Sequence, residues 1–307
     1  MRFFLLIIFA FMLGGCFGPP RSVVEPEGVR IVRNLTYATV DERQLQLDLY
    51  LPDNYSAPLP IVIWIHGGGW VGGDRSPCPI ARLATRGYAV ASISYRLSQG
   101  ATDETFPAAL HDSKAAVRWL RVNAWRFGCD EKRIGVWGAS AGGHIAALLG
   151  TVQNDPALEG TVGITSVSSR VQAVCALFPA TDLVHLEEAH DDYWKINLVA
   201  TALLHGKPSE KPELAKAASP IEHVSKNAAP FCFIHGKADQ VIPYTQSERM
   251  HQALLAVGAD STLVLIEGMS HGNATLARPE LRDAAHQFFD QHLKPNVPSS
   301  ASSAIKP

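Results

Sequence analysis

Apolar and polar residues alternate strictly over positions 44–49, which sets Leu45, Leu47 and Leu49 on one side of the chain. A period of two predicts a half-exposed strand of the kind found in antiparallel pairs. Farther along, the apolar positions stop alternating and bunch into short continuous runs at 61–65, 89–94, 134–137, 171–178, 231–234 and 262–266. Such runs predict strands covered on both faces, as in a parallel sheet. Between several of them the apolar spacing changes to three and four residues. Over 106–127 it picks out Ala109, Ala116, Leu120, Ala124 and Phe127. Met250, Leu254 and Val257 do the same before Gly258, and Leu281, Ala285, Phe288 and Phe289 after Pro279. These stretches are helical in period. Strand–helix units repeated after an antiparallel strand predict an α/β fold, with a mostly parallel sheet, an antiparallel edge at the N-terminal side and helices on both faces.

The rhythm breaks between 182 and 229. That stretch carries Glu187, Glu188, Asp191, Asp192, Tyr193 and Trp194, then a Lys/Pro/Glu segment at 207–213. It is expected to be an insertion that overhangs the carboxyl end of the sheet as a small lid. A length of 307 residues, at roughly 150 per domain, would suggest two domains. One domain over 30–294 with this insertion accounts for nearly all of it. The tail 295–307, rich in serine, is expected to be disordered.

The N-terminus has a different pattern. Arg2 precedes an unbroken apolar run over 3–13, followed by Gly14, Gly15 and Cys16. Eleven helical residues reach about 16 Å, roughly half of a hydrocarbon core, so the run is short for a span. A basic start, a short apolar core and small residues at its end predict a signal peptide over 1–15. Leu13-Gly14-Gly15-Cys16 also resembles the bacterial lipoprotein box, which implies lipidation at Cys16, a Pro/Gly-rich tether over 16–29 and an exported, membrane-anchored protein. An ordinary signal peptide, giving a periplasmic or secreted soluble protein, is the alternative.

Composition supports a large core, with 47% hydrophobic and 18% charged residues. The mean hydropathy lies just above zero, partly because of the export segment. Lys and Arg number 27 against 29 Asp and Glu, without a basic block, which excludes a nucleic-acid footprint. Four cysteines remain beyond Cys16: Cys78, Cys129, Cys175 and Cys232. Cys175 and Cys232 sit inside apolar strand-like runs and none belongs to a C-x-x-C pair, so buried thiols are expected rather than metal or redox chemistry.

The chemistry concentrates in four places. Gly138-Ala139-Ser140-Ala141-Gly142 follows one predicted strand and opens a helical run. In that context G-x-S-x-G is a tight turn that presents Ser140 at the carboxyl end of the sheet. His66-Gly67-Gly68-Gly69-Trp70 leaves the strand at 61–65. Three glycines in succession cost backbone entropy, and they make sense where backbone amides turn inward. The amides of Gly67, Gly68 and Ala141 are therefore candidate oxyanion donors. His66 is expected to order this loop by hydrogen bonding. Trp70 is a candidate pocket wall, with loop packing as the equal alternative. Asp239 lies in a loop past the strand 231–234, and His271 in a loop past 262–266. A serine needs a base, and the base needs an orienting acid. Ser140, Asp239 and His271 occur in the order serine, acid, histidine, each past a strand. Asp182 rivals Asp239 as the acid, and Glu267 is too near His271 to orient it. His235 is expected to pack or bond locally. Asp74 is expected to serve a turn, and Asp112 to pair with Arg96.

Together these residues resemble the α/β-hydrolase serine esterases, closest to the bacterial feruloyl-esterase-like or acetylxylan-esterase-like branch near the hormone-sensitive-lipase-like carboxylesterases. The resemblance runs over about 30–293. Its pieces are the glycine loop with Gly73-Asp74, Ser94-Tyr95-Arg96-Leu97, Phe106-Pro107 with Asp112, the turn around Ser140, His235-Gly236 with Asp239 and Pro243, and Ser270-His271-Gly272. The Asp-rich nucleophile turn and longer N-terminal cap usual in the hormone-sensitive-lipase-like lipases are not evident. The resemblance implies hydrolysis of a small-molecule or polysaccharide-linked ester through an acyl-enzyme, with no metal or organic cofactor. Two other functions compete. An amide hydrolase, arylformamidase-like or a serine peptidase, would share the motifs, although the large peptidases of this type screen substrates with a propeller domain. A non-catalytic surface binding protein would be expected to have lost a triad member, and all three are present.

Overall fold

A computed structural model describes residues 25–55, 58–98, 105–153, 155–186, 194–272 and 277–294. The signal segment, Cys16, the acidic stretch 187–193 and the serine-rich tail lie outside the described residues.

The described strands are β1 (Val29–Val40), β2 (Arg43–Pro52), β3 (Leu59–Ile65), β4 (Ala89–Ile93), β5 (Cys129–Ala139), β6 (Ala173–Leu177), β7 (Phe231–Gly236) and β8 (Ser261–Ile266). They form one sheet in the order β1-β2-β4-β3-β5-β6-β7-β8. β1 pairs antiparallel with β2, and β2 antiparallel with β4. Every other pairing is parallel. This is the sheet expected from the runs of apolar residues, antiparallel edge included.

The helices are α1 (Ala108–Asn123), α2 (Ala141–Thr151), the single turn α3 (Pro156–Glu159), α4 (Trp194–Leu204), α5 (Pro212–Ala217), α6 (Thr245–Ala256) and α7 (Pro279–Leu293). Strand side chains alternate between two cores. Ile61, Ile63 and Ile65 of β3 join α1 and α2 on one face. Val62 and Trp64 join Leu281, Ala285, Phe288, Phe289 and Leu293 of α7 on the other. All are buried, and each Val, Ile, Leu or Phe among them contributes about 1.5–3 kcal/mol. Continuous apolar runs are what this two-sided burial requires.

Two elements differ from expectation. β1 carries no readable period: it is an edge strand with exposed Arg30, Arg33 and Asn34, and its register shifts between Val32 and Leu35 and again between Thr36 and Ala38. β2 is not half-exposed along its length. Asp48 and Tyr50, opposite its leucine face, are buried as well. Tyr50 enters the second core. Asp48 accepts hydrogen bonds from the backbone N–H of Asn34 and from Arg33 and Arg75, which is how an ionisable side chain is tolerated there.

The stretch 182–229 holds α4, α5 and two 3-10 turns, Pro208–Glu210 and Pro220–His223. It is fastened to the body at several points. The Phe106 amide donates to Leu203 O at 3.0 Å, and the Ile221 amide to Thr181 O at 3.1 Å. α4 borders the glycine loop: a methyl group on Gly69 would come within 3.0 Å of Val199.

Candidate active site

β5 delivers the chain into a turn so sharp that Ser140 adopts φ 56°, ψ −122°. A non-glycine residue there stores about 1–3 kcal/mol of strain. The surrounding backbone is too close for side chains. A Cβ on Gly142 would lie 2.1 Å from Ile65 O, and one on Gly138 2.1 Å from Gly142 O. The Ser140 amide donates to Leu177 O at 2.9 Å, and the Ser140 carbonyl accepts the His144 amide at 2.9 Å. The turn around Ser140 is thus held between β6 and the first turn of α2.

Past β7 the chain folds into a turn around Asp239. Its Oδ1 accepts the amides of Val241 and Ile242 at 2.8 and 2.9 Å. Its Oδ2 faces His271, whose Nδ1 lies 2.7 Å away. On the other side of that ring, Nε2 lies 2.9 Å from Ser140 Oγ. Burial alone would raise the Asp239 carboxyl. The hydrogen bonds and charges of His235 and His271 outweigh it and hold the group well below the usual carboxylate range. An ionised Asp239 is an acceptor only, so Nδ1 carries the His271 proton and Nε2 accepts the Ser140 hydroxyl. Phe178 supports the ring in an edge-on contact, centroids 4.5 Å apart. A hydroxyl bonded to an imidazole backed by a buried carboxylate is an arrangement through which a serine can lose its proton on attack.

The glycine loop lies beside this chain of bonds. A Cβ on Gly67 would sit 2.8 Å from Ala139 O and 3.2 Å from Ser140 Cβ. Among the described residues no hydrogen bond satisfies the amides of Gly67, Gly68 or Ala141. Ala141 opens α2, where the helix N-terminus favours negative charge. The amides of Gly67 and Ala141 therefore border the serine, without a partner among the described residues.

The remaining candidates fall into structural places. His66 stacks on Tyr95, and its Nδ1 lies 2.8 Å from Gly67 O. Trp70 is 1% exposed, and its indole N–H donates to His144 Nδ1 at 3.1 Å. Of the two readings open for Trp70, packing under the loop is the one its surroundings fit. Asp74 serves its turn, accepting the Arg75 amide and the Ser94 hydroxyl at 2.7 Å each. Asp112 is fully buried and takes the Arg96 guanidinium on both oxygens, together with the Arg96 amide at 2.8 Å. Asp182, the rival acid, is occupied by His185 and Arg249. Glu267 is exposed and pairs with Lys237. Cys78, Cys129, Cys175 and Cys232 are free and buried, as expected.

Two participants were not legible as such. His235 does bond locally, accepting the Ser247 hydroxyl on Nδ1 and donating from Nε2 to Ile242 O at 3.0 Å. Its Nε2 also stands 3.4 Å from Asp239 Oδ2, so the turn and the acid share one support. Arg75 had no sequence signal beyond its place after Gly73-Asp74.

Residues 47–254 match the BD-FAE family model. The chain belongs to the BD-FAE family. Within this family and its surroundings, the chain is 33% identical over 238 residues to Esterase LipC of Mycobacterium tuberculosis, covering 76% of the chain and 58% of that relative. The chain thus spans little more than half the length of the curated relatives it matches first. Among solved structures it is similar to a truncated carbohydrate esterase from gut microbiota, with TM-score 0.76 and 29% identity over 89% of this chain and 98% of that one. It is also similar to the thermophilic esterase Est2 of the planctomycete Thermogutta terrifontis in its propionate-bound form, with TM-score 0.71 and 26% identity over 90% and 98%. The fold is that of the α/β-hydrolase esterases, as the motifs imply.

Proposed function

We propose that this BD-FAE protein is a serine carboxylic ester hydrolase acting on short-acyl or aryl esters, feruloyl and acetyl-sugar esters included. The observation that carries the reading is the unbroken chain Ser140 Oγ, His271 Nε2, His271 Nδ1, Asp239 Oδ2, with steps of 2.9 and 2.7 Å. Ser140 attacks the ester carbonyl while His271 takes its proton, and Asp239 stabilises the imidazolium. The amides of Gly67, Gly68 and Ala141 hold the oxyanion. His271 then protonates the departing alcohol, and water, activated by the same imidazole, hydrolyses the acyl-enzyme. The named activities of the esterases this chain resembles support the same chemistry.

A panel of nitrophenyl esters of increasing acyl length, with feruloyl esters, acetylated sugars and aryl formamides, tests this reading. Short-acyl or aryl esters should be hydrolysed faster than the formamides, and Ser140→Ala should remove the activity. A formamide turned over faster than every ester would replace the ester reading with the amide one.

The N-terminal pattern extends the proposal to place: Cys16 is lipidated and tethers the hydrolase to a membrane. Cys16→Ala should move the protein from the membrane fraction to the soluble one. Unchanged membrane retention would overturn the anchor.

A further inference from the structure

The amides of Gly67 and Gly68 belong to a loop that leaves β3 at Ile65 and must be aimed by something other than sheet hydrogen bonds. Its own backbone folds it once. Gly68 O accepts the amides of Val71 and Gly72 at 3.2 and 3.0 Å. The returning limb then touches the outgoing one. A Cβ on Gly73 would lie 2.3 Å from His66 Nδ1 and 2.5 Å from Gly67 O, and one on Gly68 2.2 Å from Gly72 O. The direction of the two amides therefore depends on where residues 72–73 are held.

Arg75 holds them. Its guanidinium donates through Nε to Asp48 Oδ1 at 3.2 Å and through Nη1 to Ser94 Oγ at 2.9 Å. Nη2 donates to Asn34 Oδ1 at 2.6 Å and to Gln46 Oε1 at 3.2 Å. The Arg75 carbonyl accepts the Ser92 hydroxyl at 2.6 Å. These partners lie on β1, β2, β4 and the residue after β4, so one residue sews the returning limb to the antiparallel edge of the sheet. Asp48 is buried and takes Asn34 N–H as well, so the anchor point is itself fixed. A planar fork of five donors suits such a set of divergent acceptors, whereas a lysine ammonium does not.

Resting on the reading of Gly67 and Gly68 as oxyanion donors, we infer that Arg75 is a positioning residue for the oxyanion loop, and that the β1–β2 hairpin is its foundation. Among the described residues, none of the side-chain partners of Arg75 is a triad residue. Arg75 acts by keeping the loop where two amides converge on the charge that develops in the transition state.

The test compares Arg75→Lys and Arg75→Gln with the parent full-length chain, on an ester the parent hydrolyses. Misaiming of donors at this range costs on the order of 10- to 100-fold, so kcat should fall by about that factor while KM changes about twofold or less. Affinity for a trifluoromethyl ketone, which becomes a tetrahedral oxyanion on the serine, should fall in parallel with kcat. A merely structural role would lower the melting temperature without that parallel. Should both variants unfold, Asn34→Ala and Gln46→Ala remove single acceptors, and each should lower kcat and ketone affinity together. Folded variants with parental kcat and parental ketone affinity would overturn the inference. Full activity in Ser140→Ala would instead overturn the mechanism on which it rests, so the two failures are distinguishable.

Discussion

Two histidines show how the same side chain is given different work by its surroundings. His271 is partly exposed and stands between an acid and a hydroxyl. His144, four residues past the nucleophile, is fully buried, donating from Nε2 to Ala218 O at 2.7 Å while Nδ1 accepts the Trp70 indole. Burial pushes its pKa from 6.5 down to about 4. A histidine depressed on folding is neutral in the folded protein and protonated in the unfolded chain over the interval between those values. Its contribution is complete above 6.5 and is lost as the pH falls towards 4, by about 3 kcal/mol over the interval. Denaturation in urea at a series of pH values should show that decline, and His144→Gln should flatten it. An equal slope in the variant would contradict the assignment. Asp239 is also depressed, but there burial, the largest influence, works upward and is outweighed by its histidine partners. Its stabilisation is present above the ordinary carboxylate range and is lost as the pH falls through the lower, folded value.

The turn between β5 and α2 is where the element decides the site. α2 is buried along its whole length, and it can enter the sheet only because glycines stand where its first turn crosses Ile65 and His66. Gly142→Ala would drive a methyl group into Ile65 O at 2.1 Å. Neither partner is a flexible side-chain end, so β3 and α2 must separate. The expected outcome is loss of most ester hydrolysis, because Ser140 and the glycine loop are displaced together, accompanied by a lower melting temperature. Parental kcat in this variant would mean that the turn is more pliant than its contacts indicate. This element was legible because G-x-S-x-G sat between a strand run and a helical run. β1 was not legible, since an exposed, bulged edge strand need not alternate, and the burial of Asp48 was not, because its partners come from 14 and 27 residues away.

At the scale of the whole molecule, the parallel sheet carries three chain segments to one edge. Ser140 follows β5, Asp239 follows β7 and His271 follows β8, and a separation of 131 residues between base and nucleophile closes to 2.9 Å. The order of these residues along the sequence foretold that meeting, because successive parallel strands place their following loops on the same side of the sheet. The supports were hidden for the same topological reason: Arg75 meets strands before and after it, and His235 meets a helix and a turn beyond it, in contacts that leave no local pattern. The contacts of the 182–229 stretch were hidden as well, since Val199 reaches Gly69 across 130 positions of chain. The proposed mechanism turns on a covalent step at one oxygen atom, so the most direct measurement is of that bond. Nitrophenyl acetate mixed rapidly with the full-length protein and quenched in acid should give a burst of nitrophenolate and an acetyl group on the peptide containing Ser140, with neither in Ser140→Ala. Steady hydrolysis that leaves Ser140 unmodified, or a Ser140→Ala protein as active as the parent, would contradict an acyl-enzyme at this serine.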